Sequence, residues 1–261
     1  MSFIHRLGVV LLALTLNRTV QLAIAGDKDL AAEKLADDGA WVRYHIKLSD
    51  YNGIEVAKKV TVSSVGRKIK NGRPSRWIEI REEIINDPLS TGNYVVKLLI
   101  PEKELLTAEK PLLHVARFVY KSSDGRIIDE IPDQDQKDRL NINEGPYLVF
   151  FPGCMQQSKK LEEPKTIDFQ TGRLACDVGV TGRHSSGYRS TTVEADVIWT
   201  TDYSLWLHND VPLGFAAATM KTTKGVRDDK GVFLFGPQTK TAEYFLEDMG
   251  TDAKSAVQSN D

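Results

Sequence analysis

The strongest indication of fold comes from residues 41–56, WVRYHIKLSDYNGIEV. Apolar and polar side chains alternate over the first nine residues, which is typical of a β-strand with one buried face and one wet face. Asn52-Gly53 follows, and this pair favours a two-residue hairpin turn because both residues can adopt positive φ. Alternation then resumes up to about Val65. The stretch therefore predicts an antiparallel hairpin.

The same period of two recurs along the rest of the chain and predicts further strands. We expect them at residues 77–82, 94–100, 146–151, 191–201, 204–207 and 215–222. Helical spacing predicts helices at 27–38 and 101–106, while residues 112–120 fit either a short helix or a strand. The stretch 179–187 is rich in Gly and Ser and is predicted to be an exposed loop.

Antiparallel hairpins with one apolar face must close, stack or be covered, because an open apolar sheet would aggregate. The sequence therefore predicts a mainly β protein with a few helices (α+β). Its expected form is a curved antiparallel sheet or incomplete β-barrel with helical cover. Residues 26–250 are expected to form one domain, and residues 251–261 a disordered tail.

One side of the predicted sheet is a candidate lining for an interior. Seven residues are expected to point to this concave side, and helix 27–38 to cover part of it: Val42, Tyr44, Ile46, Ile78, Ile80, Val197 and Trp199. Two other tryptophans, Trp41 and Trp77, fall in phase with charged residues. They are expected to line a groove, to anchor a covering helix or to pack beneath one.

The N-terminus has the layout of a secretory signal peptide. His5 and Arg6 precede an apolar run at 7–16, and Ala25 is the small residue expected just before cleavage at Gly26. The apolar run is too short to cross a bilayer as a helix. We therefore expect residues 1–25 to be removed and the protein to be exported to a periplasmic or extracellular compartment. A buried N-terminal helix is the alternative.

Composition limits the function classes. Hydrophobic residues make up 41% of the 261 residues and charged residues 27%, which is ordinary for a soluble globular protein. The formal charge is -2, and loss of Arg6 and Arg18 with the signal peptide would make it about -4. Nucleic-acid binding needs clustered positive charge, so no nucleic-acid partner is expected. No later segment is long and apolar enough to be an integral membrane helix.

No motif in the chain indicates catalysis or a bound cofactor. The histidines are scattered without the spacing of metal ligands, so neither a metal nor another cofactor is expected. Cys154 and Cys176 are an even pair in a predicted oxidising compartment, which favours a disulfide between them. A catalytic thiol at Cys154 is the alternative, although no spacing marks a histidine base for it.

The order of elements resembles the exported lipoprotein-carrier (LolA/LolB-like) group. The likeness lies in the strand at 41–44, the Asn-Gly hairpin, the strand at 77–80, the stretch 100–105 and the later stretch 206–214. It implies an incomplete β-barrel with a helical lid that holds acyl chains in an apolar cavity. The cysteine loop 154–176 departs from that pattern.

The leading hypothesis is an exported, non-enzymatic protein that binds lipid or another apolar ligand in a curved sheet. A structural or protein-interaction module with a filled core is the first alternative. A hydrolase with an unrecognised site is the second.

Overall fold

The computed structural model describes residues 35–85, 93–108, 110–137, 159–161, 164–176, 178–190, 194–212 and 214–257. Thirteen strands run through these ranges: β1 (Trp41–Ser49), β2 (Glu55–Lys70), β3 (Arg73–Ile84), β4 (Tyr94–Pro101), β5 (Arg117–Lys121), β6 (Ile127–Glu130), β7 (Lys159–Leu161), β8 (Lys165–Phe169), β9 (Gly172–Cys176), β10 (Val178–Ser190), β11 (Ala195–Leu207), β12 (Phe215–Arg227) and β13 (Phe233–Gly250). Helix α1 (Glu102–Thr107) and a 3-10 helix (Pro111–His114) lie between β4 and β5.

Eleven strands form one antiparallel sheet in the order β6-β5-β4-β3-β2-β1-β13-β12-β11-β10-β7. The first and last long strands, β1 and β13, are neighbours in its centre, and the chain runs outward from them in two meanders. β8 and β9 form a separate two-stranded hairpin. Within the described residues β6 and β7 end the order without pairing to each other, so the sheet is open. The predicted mainly β class and antiparallel sheet are confirmed.

The two sides of the sheet differ in chemistry, as the alternation in β1 predicts. We call the side that carries Val42, Tyr44 and Ile46 the apolar face, and the side that carries Trp41 and Arg43 the charged face. Residues directly opposite each other in an antiparallel pair share a face, so the register extends both faces across the sheet. The three apolar residues are buried, with exposed fractions of 2% or less.

The two ends of the sheet also differ. The turns 50–54, 122–126 and 228–232 join β1–β2, β5–β6 and β12–β13 at one end, which we call the hairpin end. Helix α1, the 3-10 helix and the β2–β3 turn lie at the opposite end, the helix end. Leu105 and Leu112 of the two helices are buried in the core there. Among the described residues, these helices cover only the β3–β4 part of the sheet.

The β1–β2 turn forms where predicted but by another mechanism. Gly53 has positive φ whereas Asn52 does not. Asp50 closes the turn instead, because its carboxylate accepts hydrogen bonds from the backbone N–H groups of Asn52 and Ile54, both at 2.8 Å. The turn with two positive-φ residues is the β2–β3 turn, at Asn71 and Gly72.

The predicted loop at 179–187 is wrong, because this stretch is the middle of strand β10. All thirteen residues of β10 pair with β11. Glycine marks close packing here: a Cβ at Gly182 would lie 2.5 Å from the ring of Tyr203, and one at Gly187 would lie 2.7 Å from a backbone oxygen of β11. The ambiguous stretch 112–120 contains both forms, the 3-10 helix and then β5.

Several expectations concern residues beyond the described ranges. The signal peptide with its cleavage site at Ala25 and Gly26, the strand at 146–151 and residues 27–34 of the predicted helix lie there. Residues 35–38, the predicted end of that helix, are described and are not helical. Cys176 is buried in β9 with an exposed fraction of 1%, whereas Cys154 lies outside the described residues, so their disulfide stays a prediction.

The C-terminal segment differs from the expected disordered tail. Residues 251–257 cross the charged face and are held by hydrogen bonds along their length. Val257 is buried against Trp77, Leu99 and Val119. Residues 258–261 lie outside the described ranges.

Candidate functional site

The apolar face brings together the seven residues predicted to line an interior. The register runs from β1 through β13, β12 and β11, and it places all seven on this one side: Val42, Tyr44, Ile46, Ile78, Ile80, Val197 and Trp199. Six of them are buried, and Trp199 is half-buried near the hairpin end. The apolar face thus spans both meanders of the sheet.

Three aromatic rings form the centre of this face. Tyr44 stacks on Phe215 with ring centroids 4.6 Å apart, and Tyr244 meets both rings edge-on. The Tyr44 hydroxyl donates to the backbone oxygen of Phe215 at 2.8 Å. Burial raises the pKa of Tyr44 well above its ordinary value, so its hydroxyl stays neutral and acts as a hydrogen-bond donor.

A buried ion pair interrupts the apolar face beside these rings. Nζ of Lys58 lies 3.0 Å from Oε2 of Glu82, and the Glu82 side chain is fully buried. Its other oxygen, Oε1, has no hydrogen-bond partner among the described residues. Burial, and secondarily the charge of Glu82, raise the pKa of Tyr244. The register sets Glu82, Val60 and Tyr44 side by side on three adjacent strands. A buried carboxylate oxygen without a donor is costly, so it marks a position where a donor would bind.

A charged residue in a half-buried strand is expected to face water, and for Glu82 this expectation is wrong. The pattern did contain the necessary information. Ile78 and Ile80 are predicted to share the buried face of the strand, and residue 82 has the same parity. Lys58 lies on the same face, since it is paired with Ile46 of β1.

The apolar face becomes polar and cationic toward the hairpin end. Trp199 and Lys224 are directly paired there, and Nζ of Lys224 lies 5.8 Å from the Trp199 ring centroid. Nζ of Lys240 lies 5.5 Å from the ring of Tyr51. Burial raises the pKa of Tyr51 above its ordinary value. This end is therefore an amphipathic rim next to an apolar surface.

Trp41 and Trp77 lie on the charged face and are contacted by the C-terminal segment rather than by a helix. Nε1 of Trp41 donates to Asp252 at 2.9 Å, and the Trp77 ring packs in the cluster that contains Val257. Nζ of Lys97 lies 4.8 Å from the Trp77 ring centroid. Three roles were expected for these tryptophans, and packing beneath a covering helix is the closest to the structure. The cover is the C-terminal segment instead of a helix.

Comparison with known proteins gives only distant structural likenesses. No protein-family model matches the chain, and no curated protein matches it. One similar solved structure is described as a "putative lipoprotein" from Parabacteroides distasonis ATCC 8503. Its sequence is 12% identical to this chain and the TM-score is 0.31. The match covers 83% of this chain and 97% of that chain. A second is lipovitellin, in a structure of lipid–protein interactions, with 12% identity and a TM-score of 0.29.

The lipovitellin match covers 85% of this chain but 26% of that chain. Neither structure is described as a LolA/LolB-like carrier, so that resemblance stays a hypothesis. Across the described residues, no helix is both long and apolar enough to cross a membrane.

Proposed function

We propose that this protein is exported and binds a lipid or another apolar ligand along the apolar face of its sheet. The buried Glu82 is the observation that carries the proposal. A face built only for packing gains nothing from a carboxylate at this position, because an apolar residue of similar volume is usually neutral or stabilising there. Lys58 accounts for one carboxylate oxygen, and none of the residues that the structure describes donates to the other one.

The chemistry around Glu82 defines the class of ligand. Its neighbours across the sheet are Val60 and Tyr94, and Val60 is in turn paired with Tyr44 of the aromatic cluster. A ligand with a hydroxyl, amide or ammonium group can donate to the open oxygen while its hydrocarbon part lies against the apolar side chains. Most ligand sites have this composition, an apolar lining with a few placed polar groups.

A structural or interaction module with a filled core is the second candidate. The tight stacking of Tyr44 on Phe215 favours it, because rings in contact at 4.6 Å leave no space between them. The two candidates differ in whether the rest of the apolar face contacts a ligand. A drug-sized ligand needs about 300 Å³ or more.

The test combines native mass spectrometry of the purified protein with titration of a fluorescent fatty-acid analogue. We expect a co-purifying apolar ligand and saturable binding of the probe. Ala242→Leu adds bulk on the apolar face, where Ala242 is 6% exposed, and should weaken probe binding about tenfold. Thr241→Leu is the matched control, since Thr241 is the preceding residue of β13, lies exposed and points to the other face.

Glu82→Gln tests the polar part of the site and should change which head groups bind, with a smaller effect on a plain hydrocarbon. Thermal unfolding of each variant shows whether it is folded. If the wild-type protein carries no ligand and does not bind the probe, the proposal fails and the interaction module becomes the better account. Equal losses in A242L and T241L would also contradict it.

A further inference from the structure

Exposed apolar side chains collect at the hairpin end of the sheet. Ten large apolar residues are exposed in the described part of the chain, and eight of them lie at this end, in the turns or at the strand ends beside them: Ile54, Ile85, Ile127, Ile128, Val232, Phe233, Leu234 and Phe235. The other two, Ile69 and Ile131, lie elsewhere. Single exposed apolar residues are ordinary, but a concentrated group indicates an interaction surface.

Four of the eight are consecutive and form the apolar tip of the β12–β13 hairpin, residues 232–235. Their exposed fractions are 58%, 45%, 45% and 66%. The tip projects past the centre of the sheet, because the pairing of β13 with β1 begins only at Thr241, eight residues after β13 starts. Gly236 and Pro237 follow the tip, and a proline on this stretch limits pairing with a further strand.

The apolar tip presents aromatic side chains on both faces of the strand pair. Phe235 pairs with Val226 and lies on the apolar face, whereas Phe233 pairs with Arg227 and lies on the charged face. The Phe233 ring packs over Gly225 and lies 4.4 Å from the Arg227 guanidinium carbon. A flat partner surface can cover one side of such a hairpin. An apolar medium that surrounds the tip covers both.

Charge on the same hairpin complements an anionic surface. Residues 221–240 contain five basic and two acidic residues, a net charge of +3 in a chain whose total is -2. One of the two acids, Asp228, is occupied with the turn, where its carboxylate accepts from the backbone N–H groups of Lys230 and Val232. Basic residues directly behind an apolar tip are the arrangement by which proteins bind the interface of anionic bilayers.

We propose that the β12–β13 hairpin docks this protein on an anionic lipid bilayer, with residues 232–235 inserted among the acyl chains and its basic residues at the head groups. The proposal goes beyond the binding of a ligand and does not depend on it. Phe235 lies in register with Val226 and Val197, so the tip carries a row of apolar side chains on the same side of the sheet as the apolar face, beyond the rim that contains Lys224 and Lys240. Docking at this end would place that face next to the bilayer.

The test is flotation of the purified protein with vesicles of phosphatidylcholine alone and of phosphatidylcholine with phosphatidylglycerol at 3:1. We expect binding to the anionic vesicles, weaker binding to the neutral ones, and weakening with added salt. The triple variant Val232→Ser/Leu234→Ser/Phe235→Ser should reduce binding by at least about tenfold, because each exposed apolar side chain contributes by burial in the bilayer. Phe233 is retained because it packs on Gly225.

Ile69→Ser/Ile131→Ser is the matched control, since these residues are 75% and 70% exposed but lie away from the tip. The control should bind like the wild type.

If the triple variant unfolds, the single variant Phe235→Ser replaces it. Absence of vesicle binding by the wild type, or equal binding by the tip variant, would overturn the proposal. A dimer that the tip variant abolishes, without vesicle binding, would assign the tip to a second copy of the chain. Probe binding by the fatty-acid analogue is a separate readout, so this proposal and the proposed function can fail independently.

Discussion

Arg76 shows how single residues tie the N-terminal part of the chain to the sheet. Its guanidinium group is almost fully buried and donates to Ser64 Oγ, to the backbone oxygen of Ala36 and to Glu102. Arg67 contacts the same carboxylate from the solvent side. Three separate segments therefore meet around one buried cation, which needs its anionic partner because an uncompensated buried charge is strongly destabilising.

This arrangement predicts a pH-dependent contribution from Glu102. Partial burial raises the pKa of its carboxyl, but the hydrogen bond from Arg67 and the charge of Arg76 outweigh burial and lower the pKa from 4.5. A lowered folded-state pKa means that the contribution is present above about pH 4.5 and is lost as the pH falls through the folded value. Glu102→Gln should lower the free energy of unfolding by about 2 kcal/mol at pH 6, and the difference should shrink toward pH 3.

Urea unfolding of both proteins at several pH values provides the measurement. Glu104→Gln on the same helix is the control, because its partner Arg73 is 71% exposed and lies 3.8 Å away. That variant should have a smaller effect. A difference for E102Q that stays constant from pH 6 to pH 3 would contradict the assigned cause.

At the residue scale, sequence alternation predicted which side chains share a face and not what surrounds them. It grouped Tyr44 with Ile46 because parity is a local property of an extended strand. It missed the burial of Glu82, because the default that carboxylates face water was given more weight than parity. The partner of Glu82 is 24 residues away, and neither Phe215 nor Tyr244 can be linked to Tyr44 without the strand order.

The C-terminal segment is the element whose placement differs most from expectation. Glu79 is fully buried beneath it and accepts from Ser255 Oγ and from the backbone N–H of Ala256, while Lys97 donates to the backbone oxygen of Val257. The sequence of 251–257 is small and polar and has no periodic pattern, so nothing local distinguishes it from a frayed tail. Its order comes from charged groups of distant strands.

Gly39 offers a direct test of this segment. Its φ is positive, and a Cβ there would lie 2.6 Å from the backbone oxygen of Thr251, whereas Gly53 also has positive φ but nothing within 4 Å. Both Gly→Ala changes carry the strain of a left-handed conformation, about 1 kcal/mol. Gly39→Ala should cost about 1 to 2 kcal/mol more, because it also displaces the segment and its hydrogen bonds. Denaturant unfolding measures both, and equal losses would mean that the segment contributes nothing to stability.

Strands were easier to predict than loops for a reason visible in β10. Its glycines suggested a turn, since glycine is common where the chain must bend. In the structure they leave room for the ring of Tyr203 and for the backbone of β11. A sequence records that a position is small but not whether the cause is a bend or a close neighbour. The hairpin of β1 and β2 contained no such ambiguity, and its position was predicted correctly although its turn closes through Asp50.

At the scale of the whole molecule, the central pairing of β1 with β13 makes the fold depend on its last long strand. Arg43 on β1 contacts Asp248 on β13 across 205 residues of sequence, at 3.0 Å. Loop closure over such a distance is entropically costly and slows folding, so the two meanders are expected to join late. Without β13 they share no strand pairing among the described residues.

A truncation after residue 232 should therefore abolish the fold, although strands β1–β12 remain in the chain. It removes Tyr244 and Leu246 from the core and exposes the edges of β1 and β12, whose apolar faces would then aggregate. A truncation after residue 257 keeps every described contact and serves as the control. Limited proteolysis of the truncated chains measures the outcome. Hydrogen exchange of the full chain adds a second measurement: the paired amides of β1 and β13 should exchange only through global unfolding and should therefore show equal protection. A folded, protease-resistant product from the shorter chain would show that one meander is an independent folding unit and that the β1–β13 pair only joins two preformed halves.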